Sequence, residues 1–426
     1  MNRRQWLVAA GLASAAPAGA ATRAAPSRIA DDLQRYHDFG PKLSGGPGDS
    51  ACGEWMEQRL TSLGYRPRRQ PFSIPYFDVS ASTIAVEGQT IPVRPQAPWR
   101  ATAPAGVEAR LVAWPGDPAA VRGAIAVMVL PYRRWSAFRA PEVEPPVRAA
   151  LAAGAAGVVL VTTGPTGEAL ALNVTPQSPP VSAPVVLLGP KAAAPVLKAL
   201  GAGGRARLTV TGTGGERPAF NVAARLDRGA DRWLVVSTPR SGWTRCAAER
   251  GGGVAVWLGL AAWARTAAPH LNVLMTSASG HEFEYAGAKL FLEHEAPPPK
   301  QTAYWLHLGA NVAGRDWHEF PAGLSALPSA DPQRVLVVEK GLLPAARRAF
   351  AGQPGLERPY SPEERADGEL GEVLAAGHRA GGVFGGHRYH HAEGDDMRCV
   401  EPALVEAAYR GFRDLLAEAL KTGQRS

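Results

Sequence analysis

Segments that suit β-strands alternate with segments that suit helices in the second half of this 426-residue chain. The strand-like runs lie at 233–238, 271–277, 303–308 and 335–339. The helix-like segments there lie at 251–264, 285–293 and 402–420, and a further one lies near the N-terminus at 51–63. Segment 251–264 is apolar almost all round, which is typical of a helix that has no side facing solvent. This alternation predicts an α/β fold with a mostly parallel sheet that is covered by helices on both faces.

A different pattern separates the two parts of this fold. A proline-rich stretch at 95–104 is followed by short strand-like runs, alanine-rich helices and Gly/Pro turns. These runs lie at 109–114, 123–130, 157–162, 183–188 and 206–211. We interpret 96–216 as a β-rich unit inserted into an α/β domain formed by 21–95 and 217–426. A chain of this length is expected to form two folded units.

Residues 1–20 have the pattern of an export signal. Arg3 and Arg4 precede an apolar, alanine-rich stretch, and Ala18-Gly19-Ala20 supplies small residues for cleavage. The paired arginines favour twin-arginine export, and an ordinary secretory signal is the alternative. The stretch is too short to span a bilayer, and no later segment reaches about 18 apolar residues. We therefore predict a periplasmic or secreted mature protein that is not stably inserted in a membrane.

The charged residues and cysteines exclude two classes of protein. The formal net charge is +8, but the basic residues are scattered among Asp and Glu, so a nucleic-acid partner is not expected. Cys52, Cys246 and Cys399 are the only cysteines, which is too few for a disulfide scaffold. Cys52 and Cys399 could pair in an oxidising compartment, and Cys246 would then remain a free thiol.

Polar loops follow several of the predicted strands. These loops are 239–241, 280–282, 309–311 and the His- and Asp-rich segment 386–396. In open parallel sheets a ligand binds beyond the carboxyl ends of the strands, so these loops are expected to meet in one cleft. A catalytic site is therefore sought there.

The order of motifs at these loops resembles the co-catalytic di-zinc aminopeptidase family, which includes bacterial leucyl aminopeptidase, glutamate carboxypeptidase and the transferrin receptor ectodomain. Segment 221–224 resembles the strand that opens the family's catalytic core, and Gly287-Ala288 resembles its Gly-Ser pair. Segment 391–395 is similar to its His-Thr-Pro-Glu-Asp motif, and 96–216 looks like its protease-associated domain. The resemblance covers most of the mature chain and implies a zinc-aminopeptidase-like fold.

The resemblance also implies which metal ligands have changed. The family holds two zinc ions with a His, a bridging Asp, a Glu, a second Asp and a final His. Pro239 stands at the first His and Gly309 at the second Asp, so both of these ligands are lost. Glu249 stands at the bridging Asp, Glu282 at the ligand Glu and His391 at the final His. These donors could hold at most one zinc ion.

Four further residues receive roles or alternatives. The resemblance places His281 at the family's general-base Glu, and an imidazole base would lose activity as the pH falls through about 6.5. The neighbouring His390 is the alternative to His391. Asp395 either orients His391 or only solvates the loop. His307 suits a hydrogen-bonded core histidine. The pair His281-Glu282 could also be a polar loop at a helix N-terminus.

Three functions remain open. The first is a peptidase or amidase with one metal ion, in which Glu282 and His391 are ligands, Glu249 is a ligand or a base, and His281 moves a proton. The second is a metal-free hydrolase with Cys246 or Ser241 as the nucleophile. The third is a binding protein without catalysis, because fold does not fix chemistry.

The sequence also leads to expectations for the reactivity of Cys246 and for the substrate. A helix dipole near Cys246 would lower its thiol pKa, whereas the alternative is a small buried hydrophobic residue. The implied substrate is a peptide or small amide. Arg240, Trp243 and Arg388 are candidates to bind an acidic or aromatic group, and Ser241 lies between the first two. The sequence carries no signal for the oligomeric state.

Overall fold

A computed structural model describes residues 28–134, 137–321 and 323–422. The predicted export signal at 1–20 lies outside these residues. The helices are α1 (Ile29–Asp38), α2 (Pro47–Ser62), α3 (Pro118–Val121), α4 (Glu144–Ala152), α5 (Ala194–Gly201), α6 (Gly252–Ala267), α7 (Ala286–His294), α8 (Leu343–Ala349), α9 (Gly368–Ala375) and α10 (Pro402–Thr422). In the described part of the chain, no helix is both long and apolar enough to cross a membrane.

The strands fall into one large sheet and one separate hairpin. They are β1 (Arg66–Val86), β2 (Gln89–Pro92), β3 (Arg94–Pro95), β4 (Val107–Ala113), β5 (Ile125–Tyr132), β6 (Gly157–Thr163), β7 (Val185–Leu188), β8 (Arg205–Leu226), β9 (Trp233–Pro239), β10 (Asn272–Ala278), β11 (Thr302–Leu308), β12 (Arg315–Phe320), β13 (Gly323–Ala330), β14 (Arg334–Val337) and β15 (Ala380–Gly385). Strands β12 and β13 form the hairpin, and the other thirteen form the sheet.

The middle of this sheet is parallel, as the sequence predicts. Strand β9 pairs in parallel with β10 and β11, and β11 pairs in parallel with β15. Every residue of β10 and β11 is buried, so both faces of these strands are covered. One face packs on α6 and α10, and the other packs on α7 and α9. The predicted α/β fold, with a mostly parallel sheet flanked by helices, is confirmed.

The apolar segment at 251–264 forms a buried helix. Helix α6 is preceded by one π-helical turn, Ala247–Gly251, whose five residues are all buried. The turn follows directly on Cys246, which has a φ of 54°. It is the element that carries the acidic residue Glu249 into the site.

Two long strands join the inserted segment to the rest of the sheet. Strands β1 and β8 are antiparallel partners from Arg66–Arg225 to Ala85–Arg207. The strand runs predicted at 206–211 and 221–224 are therefore parts of one strand, which crosses the predicted boundary between residues 216 and 217. From sequence alone, the glycines between these runs favour a turn. In the structure Gly212 packs against β1, where a Cβ on Gly212 would lie 2.3 Å from the carbonyl oxygen of Asp78. The division into two folding units stays a prediction.

A buried ion pair fixes the loop after β9 to the N-terminal helices. Arg240 and Asp49 are both fully buried, with Nε and Oδ1 3.0 Å apart. The guanidinium also donates to the carbonyl oxygens of Ser277 and Phe220. Arg240 therefore connects α2, β8, β9 and β10. It has no surface for a ligand, so its predicted role in substrate binding is wrong.

Replacing Arg240 with Met should lower the free energy of unfolding by about 3–5 kcal/mol, because Asp49 would be left as a buried charge without a partner. Urea unfolding followed by circular dichroism measures this loss. Arg205→Met is the matched control, since Arg205 pairs with Glu108 on the surface and should cost about 1 kcal/mol or less. Equal losses in the two variants would contradict the structural role of Arg240.

Candidate active site

The carboxyl ends of the parallel strands open into a cleft with a volume of about 810 Å³. Four histidines line it, namely His281, His307, His390 and His391. Glu369, in the first turn of α9, lines it as well. Three of the four loops that the sequence predicts to converge, 280–282, 309–311 and 386–396, line this cleft at the place that the strand-end rule indicates, whereas 239–241 is buried behind it.

The first group of residues in the cleft is a histidine–carboxylate pair. His281 Nδ1 lies 2.7 Å from Glu369 Oε1. Burial, together with the nearby Arg250 guanidinium, lowers the pKa of His281 well below its usual value, so the imidazole is neutral at pH 7. With Nδ1 bonded to the carboxylate, Nε2 remains as the second ring nitrogen.

Glu369 also reaches the core of the sheet. Its Oε2 is 3.8 Å from His307 Nε2, and His307 Nδ1 is 2.9 Å from Ser237 Oγ. His307 is buried within β11 and hydrogen-bonded, which confirms the core role predicted for it. Sequence reasoning missed Glu369. The one sequence signal was Asp367, a typical N-cap residue. Its side chain caps α9, and Glu369 lies in the first turn of that helix.

The second group contains Glu249, His390 and His391, whose ligand atoms lie within 4.8 Å of one another. His391 Nδ1 donates to the carbonyl oxygen of Ala171 at 2.8 Å, so Nε2 is free to act as a ligand. That Nε2 lies 3.7 Å from Glu249 Oε1. His390 stacks on His391, and its Nδ1 has no hydrogen-bond partner among the described residues. By number and spacing of donors, this group could hold one metal ion.

A cation already occupies this group. The Arg250 guanidinium is fully buried, and its Nη2 lies 2.6 Å from Glu249 Oε1. Burial alone would raise the pKa of Glu249, but Arg250 and His391 bring it down to about 2. Glu249 is therefore a carboxylate whose charge Arg250 neutralises. The sequence analysis missed Arg250, although it stands next to Glu249.

Asp395 holds the turn that carries Glu249. Its two carboxylate oxygens accept the backbone N–H groups of Ala248 at 2.8 Å and Glu249 at 3.0 Å. Its Oδ2 also lies 3.3 Å from His387 Nε2. The expectation that Asp395 orients His391 is therefore wrong, because its oxygens are bonded to the start of the π-helical turn.

Glu282 lies apart from both groups. Its carboxylate accepts hydrogen bonds from Ser44 N, Ser44 Oγ and Ser241 Oγ at 2.7–3.1 Å. Burial raises its pKa to about 7. Among the described residues, it is not part of a cluster of potential metal ligands. Its role as a ligand stays a prediction, while Ser241 is placed as a hydrogen-bond donor to this carboxylate.

Cys246 is buried, and its thiol is not activated. Burial, with the carboxylates of Glu249 and Asp395 nearby, raises the pKa of Cys246 well above its usual value. The expectation of a lowered thiol pKa is wrong, because desolvation and these two anions outweigh the helix dipole. All three cysteines are free and buried, so the disulfide considered for Cys52 and Cys399 is not formed.

The inserted segment contributes to the site. Asn173 lines the cleft, and its Oδ1 accepts a hydrogen bond from the indole Nε1 of Trp243 at 2.8 Å. Trp243 is almost fully buried and packs on Phe283. Trp243 therefore fixes the orientation of Asn173 and presents little surface to a substrate.

The number of zinc ions that the site could hold stays a prediction, because Cys246, Glu249 and Asp395 form a second group of potential ligands that shares Glu249 with the first. The side chain of Pro239 has no donor atom. At Gly309 a Cβ would lie 2.6 Å from the carbonyl oxygen of Val383, so the strand packing leaves no space for a ligand side chain. The spacing of Glu249, His390 and His391 suits a single metal ion. The adjacent Arg250 guanidinium would repel that ion, because both carry positive charge.

Comparison with solved structures identifies the fold. The zinc aminopeptidase BSAP from Bacillus subtilis matches with a TM-score of 0.70 and 15% identity, over 92% of this chain and 94% of that one. A peptidase precursor from Shewanella amazonensis SB2B matches with a TM-score of 0.71 and 16% identity, over 92% of each chain. The chain has the zinc-aminopeptidase fold. An aminopeptidase from Aneurinibacillus sp. strain AM-1 matches with a TM-score of 0.64 and 16% identity, over 93% of each chain.

The zinc-aminopeptidase fold is supported by structure alone. No protein-family model matches the chain, and no curated protein sequence matches it. The TM-scores near 0.7 establish the fold. Because the sequence identities are only near 15%, the activity has to be inferred from the site.

The native protein should not react with a thiol reagent such as 5,5′-dithiobis(2-nitrobenzoate), because all three thiols are buried and raised in pKa. After unfolding in urea without reductant, all three thiols should titrate. The assay counts released thionitrobenzoate. One rapidly reacting thiol in the native protein, or a single thiol after unfolding, would contradict this arrangement.

Proposed function

We propose that this chain is an exported hydrolase of the aminopeptidase type, which cleaves an amide bond of a peptide or small amide in its cleft. Its site is altered from that of the zinc enzymes, and water is the nucleophile. The observation that supports this most is the His281–Glu369 pair, which lies at the cleft with an N–O distance of 2.7 Å. A buried carboxylate bonded to one nitrogen of a neutral imidazole prepares the other nitrogen to act as a general base.

The proposed reaction uses these groups in sequence. His281 Nε2 removes a proton from water as the water oxygen attacks the carbonyl carbon of the substrate. Glu369 holds the ring and stabilises the imidazolium that forms. His281 then gives the proton to the leaving nitrogen as the C–N bond breaks, which restores the neutral imidazole.

Asn173 is the candidate donor to the developing oxyanion. Its Oδ1 is engaged by Trp243, so its amide NH₂ group remains to donate within the cleft that it lines. A fixed N–H donor aimed at an oxyanion contributes about 10²–10³ in kcat. The segment inserted into the α/β domain would thus take part in catalysis.

A binding protein without catalysis is the second candidate. The observation that favours it is the ion pair of Arg250 with Glu249, which neutralises the carboxylate that stands at the bridging position of the zinc enzymes. The Cys246 nucleophile receives no support from a buried thiol with a raised pKa.

His281→Ala should lower kcat/KM by about 10²–10⁴ on any aminoacyl-anilide or peptide that the wild type hydrolyses, because the general base is lost. Glu369→Gln should lower it less, since the imidazole remains but loses its anionic partner. His318→Ala is the matched control and should keep full activity, because His318 is exposed on β12 outside the cleft. Full activity of His281→Ala would exclude the proposed base, and a wild type that turns over no amide would favour the binding protein.

The acid limb of the activity should lie below pH 6.5. A general base acts only when unprotonated, and burial lowers the pKa of His281, so activity should persist at a pH where an exposed imidazole is already charged. The loss near pH 6.5 expected from the sequence is corrected accordingly. A pH profile of kcat/KM measures this limb, and an apparent pKa at or above 6.5 would contradict the buried, neutral imidazole.

A further inference from the structure

We propose that Arg250 takes the place of a metal ion in this version of the fold. Its guanidinium neutralises Glu249 and keeps divalent cations out of the group formed by Glu249, His390 and His391. The inference concerns metal binding and does not depend on the proposed hydrolysis.

The geometry places the guanidinium and an ion in competition for one oxygen atom. Glu249 Oε1 lies 2.6 Å from Arg250 Nη2 and 3.7 Å from His391 Nε2. A zinc–oxygen bond is about 2 Å long, so an ion on Oε1 would lie within about 5 Å of Nη2. Both residues are buried, and repulsion between the ion and the guanidinium would be only weakly screened there.

Arg250 cannot avoid this conflict by losing its charge. A guanidinium stays protonated in proteins, and this one lies 2.6 Å from the Glu249 carboxylate. Its Nε donates to the carbonyl oxygen of Ser241 at 3.1 Å, which fixes the side chain to the loop after β9. Asp395 fixes the backbone of the same turn. The cation is therefore a permanent part of the site.

The remaining donors would suit zinc if this cation were removed. One carboxylate and two imidazoles are the donor set of one class of catalytic zinc site. His391 already donates Nδ1–H to a backbone carbonyl, as a histidine ligand to a metal usually does. The Nδ1 of His390 is buried without a hydrogen-bond partner in the described chain.

The test is zinc binding by chelator-treated protein, measured by competition with a chromophoric chelator and by the absorption of bound Co²⁺. The wild type should show no tight site. Arg250→Met, which keeps much of the side-chain length without the charge, should bind one ion at least about 100-fold more tightly than the wild type. Zinc should also raise the melting temperature of Arg250→Met and leave that of the wild type unchanged.

Two control variants separate charge from shape. Arg250→Lys keeps the positive charge and should bind no zinc, and the double variant Arg250→Met/His391→Ala should lose the site that Arg250→Met gains. If Arg250→Met does not fold, zinc binding by the wild type is the test. One tightly bound zinc ion in the wild type that is lost in His391→Ala would overturn the proposal. A folded Arg250→Met that gains no zinc affinity would overturn it equally.

Discussion

Two arginines in the buried segment between β9 and α6 determine how the rest of the site is built. Arg240 and Arg250 are both fully buried, and an unpaired charge in such a position would cost several kcal/mol. Asp49 from α2 meets the first, and Glu249 meets the second. The position of α2 against the sheet, and of the π-helical turn against the cleft, therefore follows from charge compensation as much as from apolar packing.

Residues 164–174 of the predicted insert are bound closely to this site, and Arg134 and Arg139 of the same insert pair with Asp331 and Glu284. Ala171 exchanges two hydrogen bonds with His391, one through its backbone N–H and one through its carbonyl oxygen. Val174 donates to the carbonyl oxygen of Glu282, and the Glu168 carboxylate accepts the N–H of Gly394. Movement of the insert would therefore change the orientation of the imidazole and of the loops around it. The insert acts as one wall of the cleft.

The central elements could be predicted from sequence because burial leaves a local signature. Strands β10 and β11 are mostly apolar and buried over their whole length, helix α6 is mostly apolar and buried over most of its length, and each lies where the pattern indicates. The continuity of β8 could not be predicted, because its glycines suit a turn and their close contact with β1 is visible only in three dimensions.

The partners within the site were harder to predict. The family resemblance indicated Glu249 and His281, and the second of these also lies at a strand-end loop. Arg250 and Glu369, which give these two residues their chemistry, were missed. Neighbours in a chain do not reveal where their side chains point, and Glu369 comes from a helix that is 88 residues away from His281.

The residue changes at Gly309, His281 and Glu249 can be compared with the charges of the surrounding site. The resemblance implies that the zinc enzymes balance two divalent ions against four carboxylates, which are three ligands and the general base. Here the site contains the Arg250 guanidinium and, besides Glu249 and Glu282, the buried carboxyl groups of Glu369 and Asp395, which bond to His281 and to the π-helical turn. Gly309 removes one carboxylate and His281 replaces another with a neutral ring, while burial brings Glu282 close to neutrality at a pKa of about 7. Glu249 is the ion-pair partner of Arg250, and under our proposal the changes at Gly309 and His281 accompany the exchange of a metal ion for this guanidinium.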